Sequence, residues 1–273
     1  MSLKKRRVAA VLQTKTKKQQ LWSREETIVA FNLYCKIPFA KATKSLPEII
    51  ELSKLIGRTP SSVGMKIGNI GRLDPELQKR GISGLQHGAQ MESKVWEEFN
   101  GNWDALAYES ERLLRKFKGE DERILNEEIE NIPLPIGADK MQAVKARVNQ
   151  NFFRTAVISA YNNRCCIAGI DATKLLIASH IKPWRDSNPE TERTNPRNGL
   201  CLCSLYDKAF DVGLMTIDSD YKIVLSKSLR NALPHDVVHD FFLRYEGKSI
   251  TLPYRFKPLR ELLVWHNEKI FIE

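Results

Sequence analysis

Two short apolar runs, "KLLIASHI" (174–181) and "GLCLCS" (199–204), are joined by a polar, proline-containing loop and followed at once by "LYDKAFD" (205–211). Runs this short, dense in Leu, Ile and Cys and bounded by Pro, Asn and Gly, read as buried strands rather than helices. Asp207 and Asp211 stand four residues apart, which puts both carboxylates on one face of a helix. The segment therefore predicts strand, loop, strand, helix. That order limits the C-terminal part to a small sheet packed against helices, since the flanks "VNQNFFRTAVISAYNN", "PHDVVHDFFLRYE" and "LRELLVWHNEKIF" carry helical apolar spacing. Two further runs, "LMTID" and "YKIVLS", flank "SD" as a hairpin.

The rest of the chain predicts helices. "WSREETIVAFNLYCKI" opens on Ser23 as N-cap, with Glu26 three residues on completing a capping box. A second helix fits "LPEIIELSKLIG", and after "RTP" a third starts at "SSVGMKIGNIGRL". Helix, short glycine-containing turn and helix follow the logic of a helix-turn-helix, with Lys66, Asn69 and Arg72 expected near one exposed face. The phrase resembles the Myb-like or homeodomain-like helices fused to some nucleases; a small bundle whose third helix only packs is the alternative. "IPLPIGAD" marks a linker. The expected organisation is α+β: a flexible basic arm at 1–20, an all-helical module at 21–118, an acidic helix and linker at 119–140, and a second domain at 141–273.

Charge divides along the same line. Residues 1–118 hold 22 Lys and Arg against 12 Asp and Glu, whereas residues 119–273 hold 21 of each. The whole net charge of +10 thus sits in the N-terminal part, the footprint of a polyanion binder. No apolar run reaches the roughly 18 residues of a membrane span, and the N-terminus lacks the apolar region of a secretory signal. The five cysteines form no CxxC pair, so the spacing argues against a structural zinc and for small core residues in a reducing cytoplasm.

The chemistry-bearing residues of 175–213 suit phosphodiester hydrolysis. A neutral imidazole can accept a water proton near physiological pH. A carbonyl accepting from its other ring nitrogen would set the tautomer. One or two carboxylates suffice to hold a hard cation that keeps several waters.

This stretch resembles the HNH endonuclease family, in its restriction-type branch built on the ββα-metal motif, over about residues 147–270. The resemblance implies His180 in "ASHI" as general base, Asn198 in "RNGL" as the residue that orients it, and Asp207 in "LYDKAFD" as metal ligand, with Asp211 as a second. Many members carry an acidic ligand just before the base; here Ser179 stands there, leaving that position to a backbone carbonyl, Asp211 or water. An all-oxygen set points to Mg²⁺, with Mn²⁺ as second choice. Lys182, Arg185 and Arg154 flank the base as phosphate contacts. The resulting expectation is a metal-dependent endonuclease acting on double-stranded DNA, in restriction or defence, with a homodimer as the route to a double-strand cut. The alternatives are a non-catalytic DNA-binding protein on a degenerate HNH scaffold, and a toxin-like nuclease directed at RNA.

Overall fold

A computed structural model describes residues 21–82, 90–120 and 140–273. The basic arm at 1–20, His87 and most of the acidic and linker segment lie outside the described residues.

The helical half begins at α1 (Arg24–Lys36). Ser23 Oγ accepts from Glu26 N (3.1 Å), while Ser23 N donates to Glu26 Oε2 (2.7 Å), so the capping box forms as the sequence predicts. Next come α2 (Pro47–Leu55), α3 (Pro60–Gly71), the single turn α4 (Pro75–Gln78), α5 (Gln90–Phe99) and α6 (Trp103–Lys118). Thr59 caps α3 by accepting from Ser62 N. Gly71 closes α3 against Phe39, whose ring would lie 2.4 Å from any added Cβ.

On the polar side of α3 Lys66 is buried and Asn69 and Arg72 are half-buried, which corrects the exposed face expected for the three. Lys66 Nζ lies 2.6 Å from Glu92 Oε1 in α5, and the two side chains are 5% and 1% exposed. Asn69 Nδ2 turns to the same carboxylate (3.4 Å), and the buried Arg72 Nε has no hydrogen-bond partner. The physical reason is Glu92. A carboxylate buried on α5 requires a cation, and α3 supplies it across the helix pair.

The second half is α+β. Helix α7 (Lys140–Ala160) leads to the antiparallel pair β1 (Leu176–His180) and β2 (Gly199–Cys203), and α8 (Ser204–Asp211) follows directly. The register pairs Leu176 with Cys203, Ala178 with Cys201 and His180 with Gly199. A second hairpin, β3 (Met215–Ile217) and β4 (Ile223–Leu225), turns on Asp218, whose Oδ1 accepts from Asp220 N and Lys222 N at 2.8 Å each. Short helices α9 (Lys227–Arg230) and α10 (His235–Phe241) precede the final α11 (Arg260–Lys269).

Both halves contribute to one apolar core. Helix α7 packs against α1 and α6 on one side and against β1 and β2 on the other. Phe152 stacks on Trp103 of α6, with centroids 6.2 Å apart, and Ser159 Oγ donates to Cys35 O at the end of α1 (3.0 Å). The buried Arg255 donates to the carbonyls of Tyr34, Cys35 and Ile37, helping to satisfy the C-terminal end of α1 from a distant part of the chain.

Candidate active site

His180 is the last residue of β1, and Gly199 faces it across the ladder. Its ring lies flat on Phe153 of α7, with centroids 3.8 Å apart and planes 8° apart, and meets the Trp184 ring edge-on (5.8 Å, 88°). Gly199 is required by this packing: an added Cβ would lie 2.4 Å from Val157 Cγ2 and 3.0 Å from Phe153 Cζ. Nε2 sits 2.9 Å from the carbonyl oxygen of Arg193. A carbonyl only accepts, so Nε2 carries the hydrogen and Nδ1 keeps its lone pair. Burial lowers the pKa of the ring and outweighs the opposing effect of the Arg193 carbonyl, which favours the neutral imidazole.

Asn198 is fully buried, and its side-chain hydrogen bonds go to the 182–192 loop rather than to His180. Its Oδ1 accepts from Lys182 N (2.9 Å), and Nδ2 donates to Lys182 O (3.1 Å) and Ser187 Oγ (3.1 Å), with Glu192 O at 3.3 Å. These bonds tie both ends of the 182–192 loop to the start of β2. Asn198 thus reaches His180 through the loop that presents the Arg193 carbonyl.

The two carboxylates stand on α8, which packs on β1 and β2. Burial raises the Asp207 pKa, against the nearby Ser179 hydroxyl and Lys208, which favour the ionised form. The Ser179 hydroxyl itself is buried and reaches no partner at hydrogen-bonding geometry. The Asp211 pKa is also raised, first by burial and then by the negative charge of Asp207. Two neighbouring carboxylates near the buried Ser179 hydroxyl form an oxygen-rich spot that a hard cation would stabilise, so the residues present fit such a group. Among the described residues no three His, Cys, Asp or Glu side chains converge as a complete ligand set. A cation here would therefore keep water or substrate oxygens.

The expected phosphate contacts occupy different surroundings. Arg185 projects outward, its side chain 81% exposed beside Asp186. Lys182 is bound to Glu192 at 2.8 Å and lies over the Trp265 ring. Arg154 is exposed and donates to Leu176 O (3.0 Å), against the start of β1. Phe153, Trp184 and Arg193 are neighbours of His180 that no sequence motif marks. Phe153 carried a signal, its spacing of four from Val157 on an apolar face; a backbone carbonyl carries none. His266 is buried on Phe210 (3.7 Å, 12°), with Nδ1 beside Thr216 Oγ1 and Nε2 donating to Phe210 O, and its pKa falls to about 4 through burial. All five cysteines are free and buried.

Strand β1 ending on His180, its antiparallel partner β2 and helix α8 bearing Asp207 and Asp211 thus follow one another in β-β-α order. Residues 165–218 match the HNH endonuclease family model, so this segment is similar to an HNH endonuclease domain. No curated protein matches the chain. The domain points to a nuclease in general, a family that works with a divalent metal, and implies DNA as substrate. No helix among the described residues is long and apolar enough to cross a membrane.

Proposed function

We propose that this chain is a Mg²⁺-dependent endodeoxyribonuclease that hydrolyses double-stranded DNA to 5′-phosphate and 3′-hydroxyl ends, in restriction or defence. The observation that carries the reading is the His180 ring. It is neutral and wedged between Phe153 and Trp184, and its Nε2–H is committed to Arg193 O, so Nδ1 is left as the proton acceptor. In this reading His180 Nδ1 takes a proton from the attacking water. Asn198 keeps the loop that orients it closed, and Asp207 and Asp211 hold the cation. Mg²⁺, when bound, supplies Lewis-acid relief of the charge that develops on the scissile phosphate and the leaving oxygen. Arg185 is the freest of the flanking cations to meet a backbone phosphate. A single such site cuts one strand at a time, so a double-strand break would use a homodimer. The free cysteines suit a reducing compartment such as the cytoplasm.

The test is conversion of supercoiled plasmid to nicked circles, on modified and unmodified DNA, with Mg²⁺, Mn²⁺ or EDTA. Nicking that needs Mg²⁺ or Mn²⁺ and stops in EDTA is the expected result. DNA binding without nicking under any of these conditions would leave a DNA-binding scaffold instead.

A further inference from the structure

An arginine in a basic loop next to a nuclease site invites assignment to a phosphate. Arg193 is built into the loop instead. Its Nε donates to two backbone carbonyls, Trp184 O at 3.1 Å and Ser187 O at 3.2 Å. Its guanidinium lies over the Trp184 ring at 5.4 Å, and that ring meets the edge of His180. Its own carbonyl accepts the His180 Nε2–H at 2.9 Å. The carbonyl and Trp184, both set against the imidazole, are thus held in place by this one side chain, while Phe153 stacks on the ring from α7. Asn198 braces the same turn from below, through Ser187 Oγ and Glu192 O. From the helical half, Asp104 at the start of α6 stands beside Thr194 and Arg193.

We propose that Arg193 is a positioning residue of the nuclease site. By folding its side chain across the 184–187 turn it delivers its own carbonyl to His180 Nε2 and thereby keeps Nδ1 turned to the reacting water. The proposal rests on His180 as the general base. Chemically, the role needs the planar guanidinium. A single Nε–H shared between two carbonyls, with the guanidinium carbon over an indole, is a geometry that a lysine ammonium does not reproduce.

The experiment uses the full chain, labelled with ¹⁵N and ¹³C, and long-range spectra of the histidine rings, with the His180 signals assigned by their loss in His180→Gln. The wild type should show a single Nε2–H tautomer whose ring proton is protected from water. In Arg193→Ala and Arg193→Lys that proton should exchange rapidly and its signal disappear. The nicking kcat of both variants should fall about 10- to 100-fold, the scale of a roughly 1 Å misplacement of a catalytic group. Their DNA Kd in EDTA should stay within about twofold of wild type, because an exposed phosphate contact is not what is lost. If Arg193→Ala does not fold, Arg193→Lys decides alone. A His180 ring proton that stays protected in the variants overturns the proposal. So does a pattern in which Ala weakens DNA binding and Lys restores both binding and rate, which is the behaviour of a phosphate clamp. Cleavage that survives in His180→Ala removes the base assignment, a separate failure, because the ring-proton readout needs no activity.

Discussion

Replacing Gly199 by alanine probes the floor of the candidate site with one carbon atom. Gly199 has φ −130° and ψ 144°, ordinary extended backbone that alanine adopts without strain, so any effect comes from packing. The added Cβ would lie 2.4 Å from Val157 Cγ2 and 3.0 Å from Phe153 Cζ. Carbon atoms in contact settle at about 3.5–4.0 Å, so Val157 must retreat by about 1 Å and Phe153 by about half that. Overpacking of this kind costs about 1–3 kcal/mol, and each kcal/mol lowers Tm by about 2–4 °C in a protein approaching this size. The activity should suffer more than the fold. Phe153 is stacked on His180 at 3.8 Å, so the ring cannot move without shifting the imidazole, and a displacement of about half an ångström should reduce kcat roughly tenfold. Calorimetry gives the first number and plasmid nicking the second. Val157→Ala in the Gly199→Ala background removes the closest clash and should recover much of both losses. A Gly199→Ala protein with wild-type Tm and wild-type rate would refute the argument that this glycine sets the seat of His180.

Three other outcomes follow from the same geometry. Lys66→Met strands the buried Glu92 carboxylate and should lower stability by about 3–5 kcal/mol in urea denaturation, while Lys66→Met with Glu92→Leu should recover most of it; a neutral single variant would contradict the buried pair. His266, with its pKa lowered to about 4, stays neutral in the fold while the unfolded chain protonates near 6.5. Between those values the unfolded state binds more protons, so stability should decline as pH falls from about 6.5 to 4, by up to about 3 kcal/mol, and level off below; a His266→Gln variant with an unchanged Tm–pH slope would count against it. Asp207→Ala should abolish Mg²⁺-dependent nicking, and Asp211→Ala should raise the Mg²⁺ concentration needed for half-maximal nicking several-fold; full activity of Asp207→Ala at unchanged Mg²⁺ would move the cation elsewhere.

Much of the architecture was legible because local chemistry writes it plainly. The runs ending in "ASHI" and "LCLC" are apolar, short and bounded by Pro, Asn and Gly, and they form β1 and β2. Ser23 and Glu26 announce α1 by the reciprocal cap they make. What stayed hidden depends on partners distant in the chain. Lys66 looks like a surface cation until Glu92, 26 residues on, buries beside it. Arg255 looks like one more basic residue, yet it closes the end of a helix more than 200 positions earlier. The group that sets the His180 tautomer is a peptide carbonyl, which every residue possesses and no side chain advertises. Asn198 illustrates the same limit: its side chain holds a loop, and it is the loop that bonds to His180.

The central claim is that His180 Nδ1 accepts the proton of the attacking water. The most direct measurement is the single-turnover rate of Mg²⁺-dependent plasmid nicking by wild type and His180→Ala, with DNA affinity determined in parallel in EDTA. The account predicts that the alanine variant binds DNA with nearly unchanged Kd and loses at least about 100-fold in rate, the scale of general-base catalysis. Nicking at the wild-type rate by His180→Ala would contradict it.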